Sequence, residues 1–305
     1  MKSLSLAAPG TVAGILALAA PASPAHAERT LDLTSVPTAI TQPGTYVARR
    51  DWQLDWGDAP TAIAVTADDV VIDLRGFKLT GAGRGILLKI KGNNVTVRGG
   101  RLSTGADAGS YAIRSSGAQT RVEDMNIYSL DGLPLAGRGA VVRNSEIHAK
   151  FYSVSAGAEA IVEGNTLDAA NFALRLDGDG SVAVHNQIVG GSNAVEVHGN
   201  QNLLSDNVIT AQGGIDTGIV VDGSYNTLAR NTMLRQYNTL ISVNGMANTI
   251  EGTIAPPTPA IEAPSPRGIM FLASGNFFGN NRLSASVPYE TNGTQQTDWG
   301  GNVGY

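Results

Sequence analysis

A turn built around a small residue recurs along this chain every 20 to 30 residues, and that rhythm limits the possible folds more than any other feature. It falls at Asp68, Gly92, Gly117, Gly137, Gly157, Gly178, Gly199, Gly223, Gly245 and Gly275. The surrounding units are self-similar. AVEVHGNQNLLSDNVI (194–209) aligns with GIVVDGSYNTLARNTM (218–233), and FALRLDGDGSVAVHNQI (172–188) with TLISVNGMANTIEGTI (239–254). Each holds an alternating strand, a turn, a second short apolar strand and often an asparagine. Units this short cannot bury an apolar face alone, so neighbours must stack. The expected architecture is an all-β parallel solenoid of about ten coils.

Alternation assigns the faces. The residues four and two before the glycine are apolar in Leu88/Ile90, Leu174/Leu176, Val195/Val197, Ile219/Val221 and Ile241/Val243. A period of two puts each pair on one side of its strand, here the core. The coil at Gly157 is one residue out of register, with Val154 and Ala156 inward and Ser153 and Ser155 outward. Stacking at about 4.8 Å per coil gives a rod of about 50 Å. Asn165, Asn186, Asn207, Asn231 and Asn281 recur at one phase. They suit a structural amide ladder, since asparagine tolerates left-handed backbone and can bond along a stack.

The ends differ from the repeat. Lys2, an apolar run from Thr11 to Ala20 and Ala25-His26-Ala27 have the order of a secretory signal peptide over residues 1–27, cleaved after Ala27. This implies a periplasmic or secreted protein. Removing Lys2 leaves about 20 basic against 26 acidic residues, a balance that argues against a general nucleic-acid binder. With no cysteine, the chain has no disulfide or thiolate metal site. Residues 28–60 and 284–305 are expected to cap the β-helix of residues 61–283. PPTPAIEAPSP, inside the stretch 255–267, is expected to be a loop protruding from one coil, since its prolines exclude a central strand.

The segment ITQPGTYVARRDWQLDW (40–56), followed by AIAVTADDVVIDLRGFKLTG (62–81), resembles the opening of bacterial right-handed parallel β-helix proteins of the pectate-lyase-like group. The asparagine rhythm carries the resemblance to about residue 283. It implies a right-handed parallel β-helix. Members include polysaccharide lyases, glycoside hydrolases, epimerases, phage tailspikes and adhesins. The chain departs from the best-known catalytic branches. It lacks paired aspartates followed by Gly-His-Gly and Arg-x-Lys, and it lacks Trp-Ile-Asp-His.

The register also lists what faces solvent before each turn. Three residues before it stand Lys89, Arg114, Arg175, Glu196, Val220, Ser242 and Leu272; one before it stand Lys91, Ser116, Asp177, His198, Asp222, Asn244 and Ser274. Stacking turns each set into a column. Asp177, His198 and Asp222 are therefore expected on three successive rungs, flanked by Arg175 and Glu196. A histidine between carboxylates suits general acid–base work. Arg175 suits a sugar carboxylate, and Lys89, Lys91 and Arg114 extend a basic strip for an acidic polysaccharide. Lys150 and Tyr152 could complete a cleft, as base and acid of a β-elimination. Asp177-Gly178-Asp179 offers hard oxygens for Ca²⁺, but two carboxylates fall short of the six to eight ligands calcium takes. No other cofactor is expected.

Of the histidines after the signal segment (His148, His185 and His198), only His198 falls on this face between carboxylates, and His185 sits near a turn. Two readings stay open. One is a secreted enzyme of lyase, hydrolase or epimerase type. The other is a non-catalytic polysaccharide-binding or cell-surface solenoid, whose outward positions must be polar in any case.

Overall fold

The structure, a computed structural model, describes residues 28–304 apart from 33, 35–36, 56–59, 83, 106–108, 212–216, 235–236 and 258–266. The expected signal peptide and the middle of the proline-rich loop lie outside the described residues. Every element described is a β-strand. Among the described residues no helix is long and apolar enough to cross a membrane.

Each coil lays down up to three strands, and stacking makes three faces. The front face is a twelve-stranded parallel sheet running from Thr38–Ile40 to Val287–Glu290. The side and back faces are parallel ladders fused into one 23-stranded sheet, because Thr96–Ser103 and Arg121–Ser129 run round the corner between them. The coil containing His198 shows the plan: Asn193–Val197 in front, Leu203–Ser205 at the side and Val208–Ala211 at the back. Two front strands lie outside the ten glycine-marked coils. Thr38–Ile40 and Val287–Glu290 continue the sheet by one rung at each end, within the segments expected to act as caps.

The core is filled by the alternating apolar residues. Leu174, Leu176, Val195, Val197, Ile219, Val221, Ile241 and Val243 are all buried on the front, with Leu204 and Leu228 at the side and Ile188, Ile209 and Met233 at the back. At about 25 cal/mol per Å² of apolar surface removed from water, each such side chain contributes roughly 1.5–3 kcal/mol.

The turn glycine is required by space. A Cβ on Gly223 would lie 1.8 Å from the carbonyl oxygen of Gly199, one coil below. Three of the marked positions leave this column. Val65 pairs with Ile90, so Ala67, not Asp68, lies under Gly92. Ala156 pairs with Leu176, so Gly157 lies beside Asp177 and Ala158 falls under Gly178. Leu272 N–H donates to Val243, as Asn244 N–H does to Val221, so Ala273 follows Gly245 and Gly275 stands two residues on, at φ +78°.

The asparagines form a buried ladder. Asn165, Asn186 and Asn207 each donate from Nδ2 to the Oδ1 of the next asparagine at 3.0 Å, ending on Asn231. The left-handed backbone expected of them belongs to the residue before: His185 and Asp206 have φ of 57°. A second ladder, not recognised in the sequence, stands five residues earlier, with Asn202, Asn226, Asn248 and Asn276 linked through backbone N–H to side-chain oxygen.

Thr253 interrupts the first ladder between Asn231 and Asn281, and its buried hydroxyl has no partner. An asparagine there would accept from Asn231. Thr253→Asn is expected to stabilise the protein by about 1 kcal/mol, seen as a higher urea midpoint. A lower midpoint would mean that this coil cannot seat the longer amide.

Candidate functional site

The pairing register fixes the outward columns of the front sheet. One runs Lys89, Arg114, Pro134, Ser155, Arg175, Glu196, Val220, Ser242, Met270. Backbone bonds between successive rungs define the other: Lys91, Ser116, Ala136, Gly157, Asp177, His198, Asp222, Asn244, Leu272. Asp177, His198 and Asp222 therefore stand on successive rungs, beside Arg175 and Glu196.

His198 is held at both ring nitrogens. Nδ1 lies 2.9 Å from Asp222 Oδ2 on the next rung, and Nε2 lies 3.3 Å from Glu196 Oε2 on its own strand. Glu196 is itself fixed, its other oxygen accepting from Asn193 Nδ2 at 2.9 Å. Asp222 accepts from Asn244 on the far side. Asp177 turns the other way: it pairs with Nε of Arg175 and accepts from Ser155 Oγ at 2.7 Å. Arg175 also lies over the Phe172 ring, 5.9 Å from its centroid. Its terminal Nη groups have no hydrogen-bond partner among the described residues.

The chemistry follows from these contacts. A carboxylate on Nδ1 orients the ring and leaves Nε2 as the nitrogen that exchanges a proton. The Glu196 contact on that nitrogen is the longer one, so it is the contact an incoming group can displace. One rung away, Arg175 directs a planar donor fork outward.

Some expected neighbours lie elsewhere. Lys89, Lys91 and Arg114 are on the front face, but Pro134 and Ser155 separate Arg114 from Arg175. That is three rungs, about 14 Å, so the basic strip is a separate patch. The intervening coils are two residue-pairs of small or neutral side chains that the glycine rhythm could not align. Ser153 is buried, not outward, with its hydroxyl donating to Asp168 and Ile147 carbonyls. Met270, not Leu272, follows Ser242, because the last marked glycine is two residues out of column. Lys150 and Tyr152 part company. Lys150 lies over Phe151 and lines a recess with Tyr128 and His148 on the back face.

Tyr152 belongs to a column at the front sheet's edge that the sequence reading missed. It stacks on Phe172 with ring centroids 5.6 Å apart and nearly parallel planes. Tyr111 continues the aromatic edge, with Arg114 5.7 Å from its centroid. Burial first, then Tyr111 and Asp131, hold the Tyr152 phenol well above its ordinary pKa. It is a hydroxyl donor at neutral pH, not a base. Burial likewise raises the Asp131 carboxyl. The low aromatic content that spoke against sugar stacking therefore conceals a local concentration. The available signal was an aromatic five residues before the turn glycine in two neighbouring units, at Tyr152-to-Gly157 and, one further, Phe172-to-Gly178.

The Asp177 and Asp179 carboxylates are engaged separately. Asp179 Oδ1 accepts from the backbone and side chain of Asn200 at 2.7 and 3.1 Å. The described residues contain no group of three or more His, Cys, Asp or Glu that could hold a metal ion.

No protein-family model and no curated protein matches this sequence. Solved structures are similar to it. The Dettilon tailspike protein has a TM-score of 0.61 at 13% identity, over 89% of this chain and 60% of that one. This chain thus spans about 60% of the tailspike's length. The DFA-IIIase from Arthrobacter chlorophenolicus A6, solved in complex with GF2, has a TM-score of 0.50 at 15% identity, over 80% and 77%. The periplasmic alginate epimerase AlgG has a TM-score of 0.50 at 11% identity, over 84% of each chain. The likeness is one of fold: an all-β parallel β-helix.

Proposed function

We propose that this is a periplasmic or secreted carbohydrate-active protein that works on an acidic polysaccharide at the front sheet. The observation that carries the reading is His198, anchored through Nδ1 by Asp222 at 2.9 Å with its Nε2 contact to Glu196 longer, at 3.3 Å. Arg175 on the adjacent rung is the group for a uronate carboxylate, and pairing that charge makes the proton on the neighbouring sugar carbon easier to remove. His198 Nε2 then takes that proton while Asp222 stabilises the imidazolium, and the electron pair left on carbon either expels the glycosidic oxygen, which takes up a proton (lyase), or accepts a proton on the opposite face (epimerase). The fold likeness to a periplasmic alginate epimerase supports the substrate class and the compartment.

This chemistry is lyase or epimerase chemistry. A hydrolase needs two carboxyl groups free to face each other across the glycosidic bond. Glu196 and Asp222 both engage the same imidazole, and Asp177 engages Arg175. Phe172 and Tyr152, stacked on each other, present an aromatic edge to flanking sugars.

The test is incubation with alginate, pectate, hyaluronan and bacterial exopolysaccharides, following unsaturated-product absorbance, new reducing ends and sugar configuration by NMR. His198→Ala is expected to lower kcat by about 10²–10⁴-fold, and Arg175→Ala to raise KM, with folding retained. Binding without turnover, unchanged in His198→Ala, would sink the catalytic reading. It would favour the second one, a non-catalytic polysaccharide-binding or cell-surface structural solenoid. One observation speaks for that alternative: both nitrogens of His198 already meet carboxylates.

A further inference from the structure

A recess lies on the back face, away from His198. At the corner of side and back faces it holds about 640 Å³, lined by residues including Asp51, Lys78, Arg101, Asn126 and Glu146. It continues through a narrower part of about 170 Å³, lined by Lys78, Arg101, Leu102, Ser103, Asn126 and Tyr128. Beyond Tyr128 it opens into a third part of about 380 Å³, reaching His148 and Lys150. Shared lining residues make these one groove, running across the rod along the strand direction. It exists because Thr96–Ser103 and Arg121–Ser129 turn the side–back corner as single strands, where later coils break into two.

The wall of this groove repeats the front constellation. Glu146-Ile147-His148 has the spacing of Glu196-Val197-His198. His148 Nε2 lies 2.8 Å from Glu146, and Nδ1 lies 3.3 Å from Asp168 on the next rung. The rung before differs. Tyr128 stacks flat on the imidazole, with centroids 4.8 Å apart and planes 11° from parallel. Two carboxylates and a ring thus pin His148, and Tyr128, 50% exposed, presents its edge and hydroxyl to the groove.

At the narrow part the charge is placed to match an anion, while the wide part also carries the Asp51, Asp124 and Glu146 carboxylates. Lys78 and Arg101 stand on successive rungs at the narrow part. Neither forms an ion pair among the described residues, and the lining of that part includes no carboxylate. Both oxygens of Glu146 are already met, by Asn126 and His148. Two unspent cations beside a rigid aromatic, in a groove several sugar units long, are the parts a charged saccharide needs.

We propose that the back-face groove is a second saccharide site, binding acidic oligosaccharides through Lys78 and Arg101 with the Tyr128–His148 stack as its platform. Its role is to hold the polymer on a face other than that of His198, so it stands whether or not the front sheet is catalytic.

The probes are tetra- to hexasaccharides of galacturonate and of mannuronate, with cello-oligosaccharides of equal length as neutral controls. Binding is followed by NMR of the histidine ring protons and by calorimetry. The expected result is that the acidic oligosaccharides shift the His148 resonances. Arg101→Ala and Tyr128→Ala should each weaken the binding that the His148 resonances report by about tenfold or more. Both variants change exposed side chains, so the fold is retained. The proposal is overturned if neutral oligosaccharides bind equally well, if neither acidic probe moves His148, or if Arg101→Ala and Tyr128→Ala bind as the parent does. Shifts confined to His198 would overturn it and leave the front-sheet reading intact.

Discussion

Gly223→Ala is expected to be among the most damaging single substitutions in this protein, costing on the order of 3–5 kcal/mol. The added Cβ would sit 1.8 Å from the Gly199 carbonyl oxygen and 2.6 Å from its carbon. Both are backbone atoms within a stacked coil, so relief requires prising two rungs apart and stretching the front-sheet ladder on either side. Gly275→Ala is the matched control. Gly275 has φ of +78° and nothing within 4 Å of a built Cβ, so alanine there meets backbone strain alone, about 1 kcal/mol. Urea midpoints and thermal scans of the two variants separate the explanations. Equal losses would show that conformation, not stacking, makes Gly223 a glycine.

Asn207→Ala should cost nearly as much, about 3–4 kcal/mol, because one fully buried amide serves several partners. Its Oδ1 accepts from the backbone and side chain of Asn186 at 2.9 and 3.0 Å, and its Nδ2 donates to Ala183, Ser205 and Asn231. Alanine leaves those groups buried without water or partner, and each such group costs roughly 1–3 kcal/mol. Asn200→Ala provides the contrast. Asn200 sits in an exposed turn ladder, accepting from Ser224 N–H at 2.8 Å, and water can replace it, so the loss there is under about 1 kcal/mol. A midpoint for Asn207→Ala close to that of Asn200→Ala would remove the energetic case for the ladder.

The candidate site was only partly legible in the sequence. Asp177, His198 and Asp222 lie in neighbouring coils whose turn glycines, Gly178, Gly199 and Gly223, share one column, so counting back from the glycine places them correctly on successive rungs. The same count misaligned Leu272 and Ser274, since the coil before Gly275 carries the proline-rich insertion and the glycine moves two residues along. Which carboxylate His198 takes was not legible at all. Asp177 and Asp222 are equivalent by register, yet Asp177 is drawn to Arg175 and Ser155, leaving Asp222 to hold the ring.

His148 is not legible from the front-strand register, since it lies on the back strand of its coil. Its partners Tyr128 and Asp168 are each 20 residues away, one on either side, and they become neighbours only when the back strands stack in register.

By itself, the sequence determined the solenoid, the inward face of the front strands and the first of the two asparagine ladders. These follow from a period of two within strands and a period near one coil between them, both local patterns that burial enforces. Only the tertiary structure decided which polar side chains meet. Coils differ in length, so the register between them is set by backbone pairing and the packing of the whole core. A slip of one residue turns every outward group inward. The front-sheet histidine, the aromatic edge beside it and the groove behind are products of that register.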